Sequence, residues 1–317
     1  MGWHFRSMLL KGTAATLLLV TFQLQTSFVR PFCITVPAAV PKRPKNTRGA
    51  VAIGFDIERM FENEEPYFTL TPPAFKPVVY PGPKWDVSPA CTDYVRKLMD
   101  IADENGVKLQ FFALGHSVEV SSEIFREILT RKYHLQQHTY SHLSLLSNID
   151  QVMQEVNRTQ RIFGKELGYQ PIGLRAPGAY PHGITSRLEL QEQLRAAGIQ
   201  YVSTMYDQTA TMENMQPFLL PSGLLEIPMY GYSDWNFALR PGATLRQWLT
   251  YVRDQVNQTY QKGLVYAPAL HPCLEAALDP DAKTLQTIIR TAKGEPQKMW
   301  IPSYDELAKW FLKNGRH

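Results

Sequence analysis

Ala50-Val51-Ala52-Ile53-Gly54-Phe55-Asp56-Ile57-Glu58 is the stretch on which the fold turns. Its first six residues are apolar or small without a break. That is the pattern of a strand covered on both faces, as in a parallel sheet, and not the alternation of a half-exposed strand. The run ends on two carboxylates, and the C-terminal ends of parallel strands are where α/β folds keep their chemistry. Residues two apart on an extended chain share a face, which places Asp56 and Glu58 side by side if the strand persists.

Beyond this stretch, helix and strand signals alternate. Ser88-Pro89 opens a helix that runs through Tyr94, Leu98 and Ile101 towards Gly106, with Ser as cap and Pro at its first position. Strands are expected at 107–114, 135–138, 171–175, 201–204, 224–229, 264–270 and 299–301. Helices are expected at 121–131, from an Asp150 cap to Gly164 or Gly168, and at 185–198, 244–263, 282–292 and 303–314. Strands alternating with helices over about 270 residues read as one distorted parallel β/α barrel of seven to eight strands. An open doubly wound sheet is the alternative architecture. No Gly-x-Gly-x-x-Gly or Walker loop follows the first strand, which argues against nucleotide binding.

The 317 residues are 44% hydrophobic and 20% charged, a globular balance. The net charge is +4, and Lys and Arg are scattered, so no nucleic-acid stripe is present. Cys33, Cys91 and Cys273 lack the paired spacing of a zinc finger or redox motif. One bridge, Cys91 to Cys273, is open to a domain in an oxidising compartment. With no setting that depresses its pKa, Cys273 otherwise reads as a buried inert thiol and not a nucleophile.

Residues 1–33 differ in kind. Arg6 and Lys11 precede an apolar run from Gly12 to Phe22. At about eleven residues it is short of the ~20 a spanning helix needs, but suits the core of a signal peptide. A secretion signal is the first reading and an uncleaved membrane anchor the second, which makes the domain secreted, periplasmic or tethered at its N-terminus. Residues 34–47, with Pro41-Lys42-Arg43-Pro44-Lys45, read as an extended linker, and 48–317 as the single catalytic domain. Residues 59–88 form a long irregular excursion whose acidic Glu62, Glu64 and Glu65 read as solvated.

The polar residues at the expected strand ends form an ordered series: Asp56 and Glu58, His138 and His142, Arg175, Asp234 and Trp235, His271. Alone, a His-x₃-His pair more often marks a surface helix turn. On a barrel rim these clusters converge. Two imidazoles and a carboxylate leave positions open on a divalent metal, so that a water is acidified and a carbonyl polarised. A second carboxylate takes the proton, and a separate His protonates the leaving group.

In this order the motifs resemble those of polysaccharide deacetylases of the NodB-homology class, carbohydrate esterase family 4. Gly54-Phe55-Asp56-Ile57-Glu58 resembles the first motif, usually Thr-Phe-Asp-Asp, and His138-Thr139-Tyr140-Ser141-His142 the second, after Phe111-Phe112-Ala113-Leu114-Gly115. Arg175-Ala176-Pro177-Gly178, Asp234-Trp235 and Leu270-His271-Pro272 resemble the third to fifth. The resemblance implies Asp56 as general base, oriented by Arg175, and His271 as general acid, held by Asp234. It implies Glu58, His138 and His142 as ligands of a divalent metal, typically zinc, and Gly178 as a backbone oxyanion donor. Trp235 would wall the sugar groove; for Tyr180 a place in the groove and a simple packing role are equally open. The implied reaction removes N-acetyl groups from an extracytoplasmic polysaccharide such as peptidoglycan or an exopolysaccharide.

Three departures stand out. The metal carboxylate falls at Glu58 instead of position 57, where Ile57 stands; Gly231 replaces an Asp three residues before Asp234; and Ala269 replaces the Leu that closes the acetate pocket, implying a roomier one. The first also suits cyclic-amide hydrolases of the allantoinase kind, and a catalytically silent glycan-binding barrel is the reading from another class. His116, His134 and His182 read as loop or structural histidines.

Overall fold

In the computed structural model, which describes residues 47–58, 87–294 and 298–314, the opening run forms β1 (Ala50–Val51) and β2 (Gly54–Ile57), buried at every residue. The leader 1–33, all of the 34–47 linker but its last residue, and nearly all of the 59–88 excursion lie outside the described residues. The remaining strands are β3 (Gln110–Ala113), β4 (His134–Gln137), β5 (Gly173–Tyr180), β6 (Tyr201–Asp207), β7 (Phe218–Leu219), β8 (Leu225–Glu226), β9 (Met229–Tyr230), β10 (Val265–Tyr266) and β11 (Ala269–Leu270).

The main sheet runs β11-β2-β3-β4-β5-β6-β8-β7, β9 also pairs with β6, and β1 pairs with β10. Every pairing among these is parallel except the β7–β8 hairpin. Taking the broken strands β1/β2, β8/β9 and β10/β11 as one position each, seven parallel positions go round among the described residues. The last meets the first at a thin seam. There the Tyr230 N–H donates to the Ala267 carbonyl at 3.2 Å. Beside it the Gln216 side chain donates to the Val265 carbonyl (3.0 Å) and accepts its N–H (2.8 Å), standing in for a strand. The expected distorted barrel is present, and the seam is where it is distorted.

Local chemistry accounts for the helices. Ser88 caps Pro89–Glu104, accepting the Cys91 N–H. Leu245–Lys262 opens on a Thr244/Gln247 capping box and stops at left-handed Gly263. Asn148, and not Asp150, caps Ile149–Leu167; its side chain accepts the Asp150 N–H, so the carboxylate sits inside the first turn, where the helix dipole favours it. Three short helices, Gly115–Val120, Asp234–Ala238 and Pro272–Leu278, were not expected, because so few residues cannot display a 3.6-residue period. The strand expected at 299–301 reduces to a bridge between Trp300 and Ala50.

The N-terminal floor of the barrel is plugged. Asp305 accepts from Tyr201 (2.6 Å) and Gln136 (2.8 and 3.0 Å) and pairs with His134 (3.1 Å). Of these, His134 and Tyr201 open their strands, so this histidine is a floor residue and chemistry is left to the opposite rim. Cys91 and Cys273 form a disulfide between Pro89–Glu104 and Pro272–Leu278. Of the two readings left open for Cys273, the bridge is the one that forms and the inert thiol is set aside: two cysteines 182 residues apart meet only through the tertiary fold. No helix among the described residues is long and apolar enough to cross a membrane.

Candidate active site

β2 ends with Asp56 buried in the barrel mouth and Glu58 one step past the strand. The Glu58 N–H donates to the Asp56 carbonyl at 3.1 Å, closing a tight turn at Ile57, and the two carboxylates come within 4.8 Å of each other. Glu58 Oε1 lies 2.8 Å from His138 Nε2 and 3.2 Å from His142 Nε2. His138 follows β4, with its N–H on the Ala113 carbonyl (2.8 Å). The chain then reverses, with Thr139 and His142 both in the left-handed region (φ 61° and 66°), and the two imidazole centroids come to 5.1 Å. The pair is a loop at the end of a strand, not two turns of a surface helix.

These three side chains fit a divalent cation. Their donor atoms lie within 4.8 Å of one another, a second such group is Asp56, Glu58 and His271, and Asp56 Oδ1 is buried without a hydrogen-bond partner. His138 Nδ1 is 3.0 Å from the Arg175 carbonyl. The network thus assigns the proton to Nδ1 and turns Nε2 to the cluster, as metal-binding histidines are held by an outer acceptor. The electrostatics agree. Burial would raise the Glu58 carboxyl, but the charge of His142 and hydrogen bonds from both imidazoles hold it well below the usual carboxylate range. Burial would lower His142, and Glu58 outweighs it and raises the imidazole instead. A cation entering this cluster takes the place of that proton.

Arg175 is wholly buried on β5, its guanidinium 4.4 Å from the Phe112 ring centroid and 4.9 Å from that of Tyr304, with Nη1 3.2 Å from Asp56 Oδ2. Burial would lower its pKa, but the Asp56 charge raises it further. The pair fixes Asp56 through one oxygen and leaves the other buried without a hydrogen-bond partner.

Opposite, Asp234 begins the helix Asp234–Ala238, with Ser233 as its cap. Its Oδ1 is 2.6 Å from His271 Nδ1, and its Oδ2 accepts the His271 backbone N–H at 2.6 Å. The imidazole is therefore gripped at ring and backbone, with Nε2 3.8 Å from Glu58 Oε1. Burial would lower the His271 pKa; Asp234 outweighs it and pushes the ring up to about 10. Ala269, two residues earlier on β11, is buried.

Gly178 lies exposed in the bulged part of β5 at φ 72°, a conformation that calls for glycine even though an added Cβ would meet nothing. Trp235 is half-exposed beside Asp234, its backbone N–H on Asp234 Oδ1. Tyr180 shows the packing one of its two expected roles. Its hydroxyl accepts the Leu145 N–H, bonds Ser144 Oγ and donates to the Pro177 carbonyl, so it braces the 144–145 loop, and no polar atom of the side chain is left for a sugar. His116 packs on the Tyr140 ring and His182 is exposed, so neither joins the cluster.

Two carboxylates that the sequence did not single out support this face. Glu155 accepts three hydrogen bonds from the loop between the histidines. Glu275, buried behind Asp234, accepts from Tyr94 Oη at 3.3 Å, and burial with the neighbouring Asp234 and Asp279 charges raises it well above the carboxylate range. Glu155 had one visible signal: it is an acid beside the buried positions Val152, Val156 and Thr159 of its helix.

Residues 82–202 match the model of a family described as polysaccharide deacetylase. A peptidoglycan-N-acetylglucosamine deacetylase of Bacillus cereus is 30% identical over 86 residues, which are 27% of this chain and 31% of that protein, so the match spans under a third of the relative. In three dimensions the chain is similar to a protein described as a probable polysaccharide deacetylase of Pseudomonas aeruginosa PAO1 (TM-score 0.65, 17% identity, 88% of this chain and 96% of that one). It is similar to an allantoinase to the same degree (TM-score 0.65, 16% identity, 88% and 95%). At such identities these two establish the fold. The family match adds that residues 82–202 are similar to a polysaccharide deacetylase domain.

Proposed function

We propose that this chain is a polysaccharide deacetylase, a metal-dependent hydrolase that removes N-acetyl groups from an extracytoplasmic glycan such as peptidoglycan or an exopolysaccharide. The observation that carries the reading is Glu58 Oε1 at 2.8 and 3.2 Å from two imidazole nitrogens, flanked by a held carboxylate and a held imidazole. Glu58, His138 and His142 hold the ion, with zinc the first choice. When bound, it supplies Lewis acidity to an acyl oxygen and a water.

The chain's own residues do the rest. Asp56, oriented by Arg175, accepts a proton from the attacking water through its unpartnered oxygen. His271, protonated through its pairing with Asp234, gives a proton to the departing amine. The Gly178 N–H faces the developing oxyanion, and Trp235 walls the groove. The C–N bond breaks and a C–O bond forms, giving acetate and a free amine.

Residues 1–33 as signal or anchor, 34–47 as linker and 48–317 as catalytic domain complete the proposal and place the enzyme outside the cytoplasm. The Cys91–Cys273 disulfide supports that placement, since such bonds persist in oxidising compartments.

The test is acetate release from N-acetylglucosamine oligomers by the purified chain, with and without chelator, and with allantoin as a second substrate. Activity lost on chelation and regained with zinc supports the proposal. Metal-independent release, or turnover of allantoin alone, refutes it. Asp56→Asn is expected to abolish turnover while metal is retained; a normally active variant removes Asp56 as base.

A further inference from the structure

Glu155 sits on the helix Ile149–Leu167, and its carboxylate is engaged by the loop that joins the two histidines. Oε2 accepts the backbone N–H of Tyr140 at 2.9 Å and that of Ser141 at 2.6 Å, while Oε1 accepts the Ser141 hydroxyl at 2.9 Å. The loop has need of such an anchor. Thr139 and His142 bracket the bonded pair, and both occupy the left-handed region, at φ 61° and 66°, where a residue bearing a Cβ is strained. Strained geometry persists only where the surroundings over-determine it.

The other edge of the loop is tied to the segment after β3. Gly115 donates its N–H to the Thr139 carbonyl at 2.8 Å, and His116 to the Tyr140 carbonyl at 3.1 Å. Carbonyls are thus held on one side and N–H groups on the other, and on the N–H side Glu155 is the acceptor. The Tyr140 side chain is gripped separately, by Glu119 at 2.6 Å. Remove the Glu155 carboxylate and the Tyr140–Ser141 peptide loses the acceptor that keeps His138 and His142 facing one point.

We propose that Glu155 is a positioning residue for the divalent-ion site: by fixing the Tyr140–Ser141 backbone it sets the relative orientation of His138 and His142, and so the affinity and coordination geometry of the ion. The inference rests on the reading of Glu58, His138 and His142 as metal ligands.

Cobalt(II) is the probe, because its visible absorption reports coordination geometry independently of turnover. The full chain, E155A and E155Q are stripped of metal, checked for folding by circular dichroism and thermal melting, and titrated with cobalt against a competing chelator. Outer partners of metal ligands typically set affinity by about 10- to 100-fold, and E155A is expected to weaken cobalt binding by that range and to alter the absorption bands. E155Q keeps one acceptor oxygen for the two N–H groups and is expected to fall between, about 3- to 10-fold weaker. If E155A does not fold, E155Q decides the matter. Variants that fold and bind with wild-type affinity and spectrum overturn the role of Glu155. A wild-type chain that takes up no cobalt overturns the ligand triad itself, a different failure.

Discussion

Glu226 offers a test of the barrel's electrostatics that needs no substrate. It is fully buried on β8; Oε1 accepts the N–H groups of Thr204 (2.7 Å) and Met205 (3.0 Å), and Oε2 bonds Thr204 Oγ1 at 2.6 Å. Burial raises its pKa to about 7 against hydrogen bonds that lower it. Between its ordinary 4.5 and about 7 the folded protein holds a proton that the unfolded chain has released. Stability from this group is therefore complete below about pH 4.5 and is lost as pH rises through about 7. At about 1.4 kcal/mol for each pH unit, the loss by pH 8 is about 3 kcal/mol.

Glu226→Gln mimics the protonated acid, its amide oxygen accepting both N–H groups and its amide nitrogen donating to Thr204 Oγ1. Urea denaturation followed by tryptophan fluorescence, disulfide intact and chelator present, should show E226Q gaining about 2–3 kcal/mol on the wild type between pH 5 and pH 8. Taking the difference between the two proteins cancels the titrations of Glu58, His271 and Glu275. Any strain from the amide adds a constant offset and leaves the slope unchanged. A difference that is flat with pH refutes the reasoning and means that Glu226 stays ionised in the fold.

Asp234→Asn removes the charge that raises His271, so the ring should lose its proton at lower pH; the alkaline limb of the pH–rate profile should move down and turnover should fall about 100-fold or more. An unmoved limb would separate Asp234 from proton delivery. Breaking the disulfide by C91S/C273S opens a loop of 182 residues' separation and should cost about 5 kcal/mol in the chain-entropy account, read as a drop in the urea midpoint of the oxidised protein that the double variant shows without reductant.

The barrel and most of its rim were legible because both are written in local patterns. A continuous apolar run ending in Asp56 and Glu58, a His-x₃-His at the end of another strand, and caps such as Ser88 and Thr244 act within a few residues. Burial of alternate faces leaves the same trace wherever it occurs. The displaced carboxylate at 58 was legible as the acid two residues beyond Asp56, although a tight turn at Ile57, and not a continued strand, brings the two together.

What only the tertiary structure decided are the contacts between groups far apart in the chain. An acid beside a buried helix face marks Glu155 but does not name it as the clamp on the histidine loop, and nothing local chooses between a bridge to Cys91 and a free thiol for Cys273. That Tyr180 braces a loop follows from Ser144 and Leu145 coming within reach of its hydroxyl. The same is true of Gln216, whose side chain fills the place of a strand at the seam. Sequence pattern determines which faces must be covered; which distant polar atom answers an exposed N–H, carboxylate or thiol is settled only when the helices have packed and each buried group takes the partner within reach.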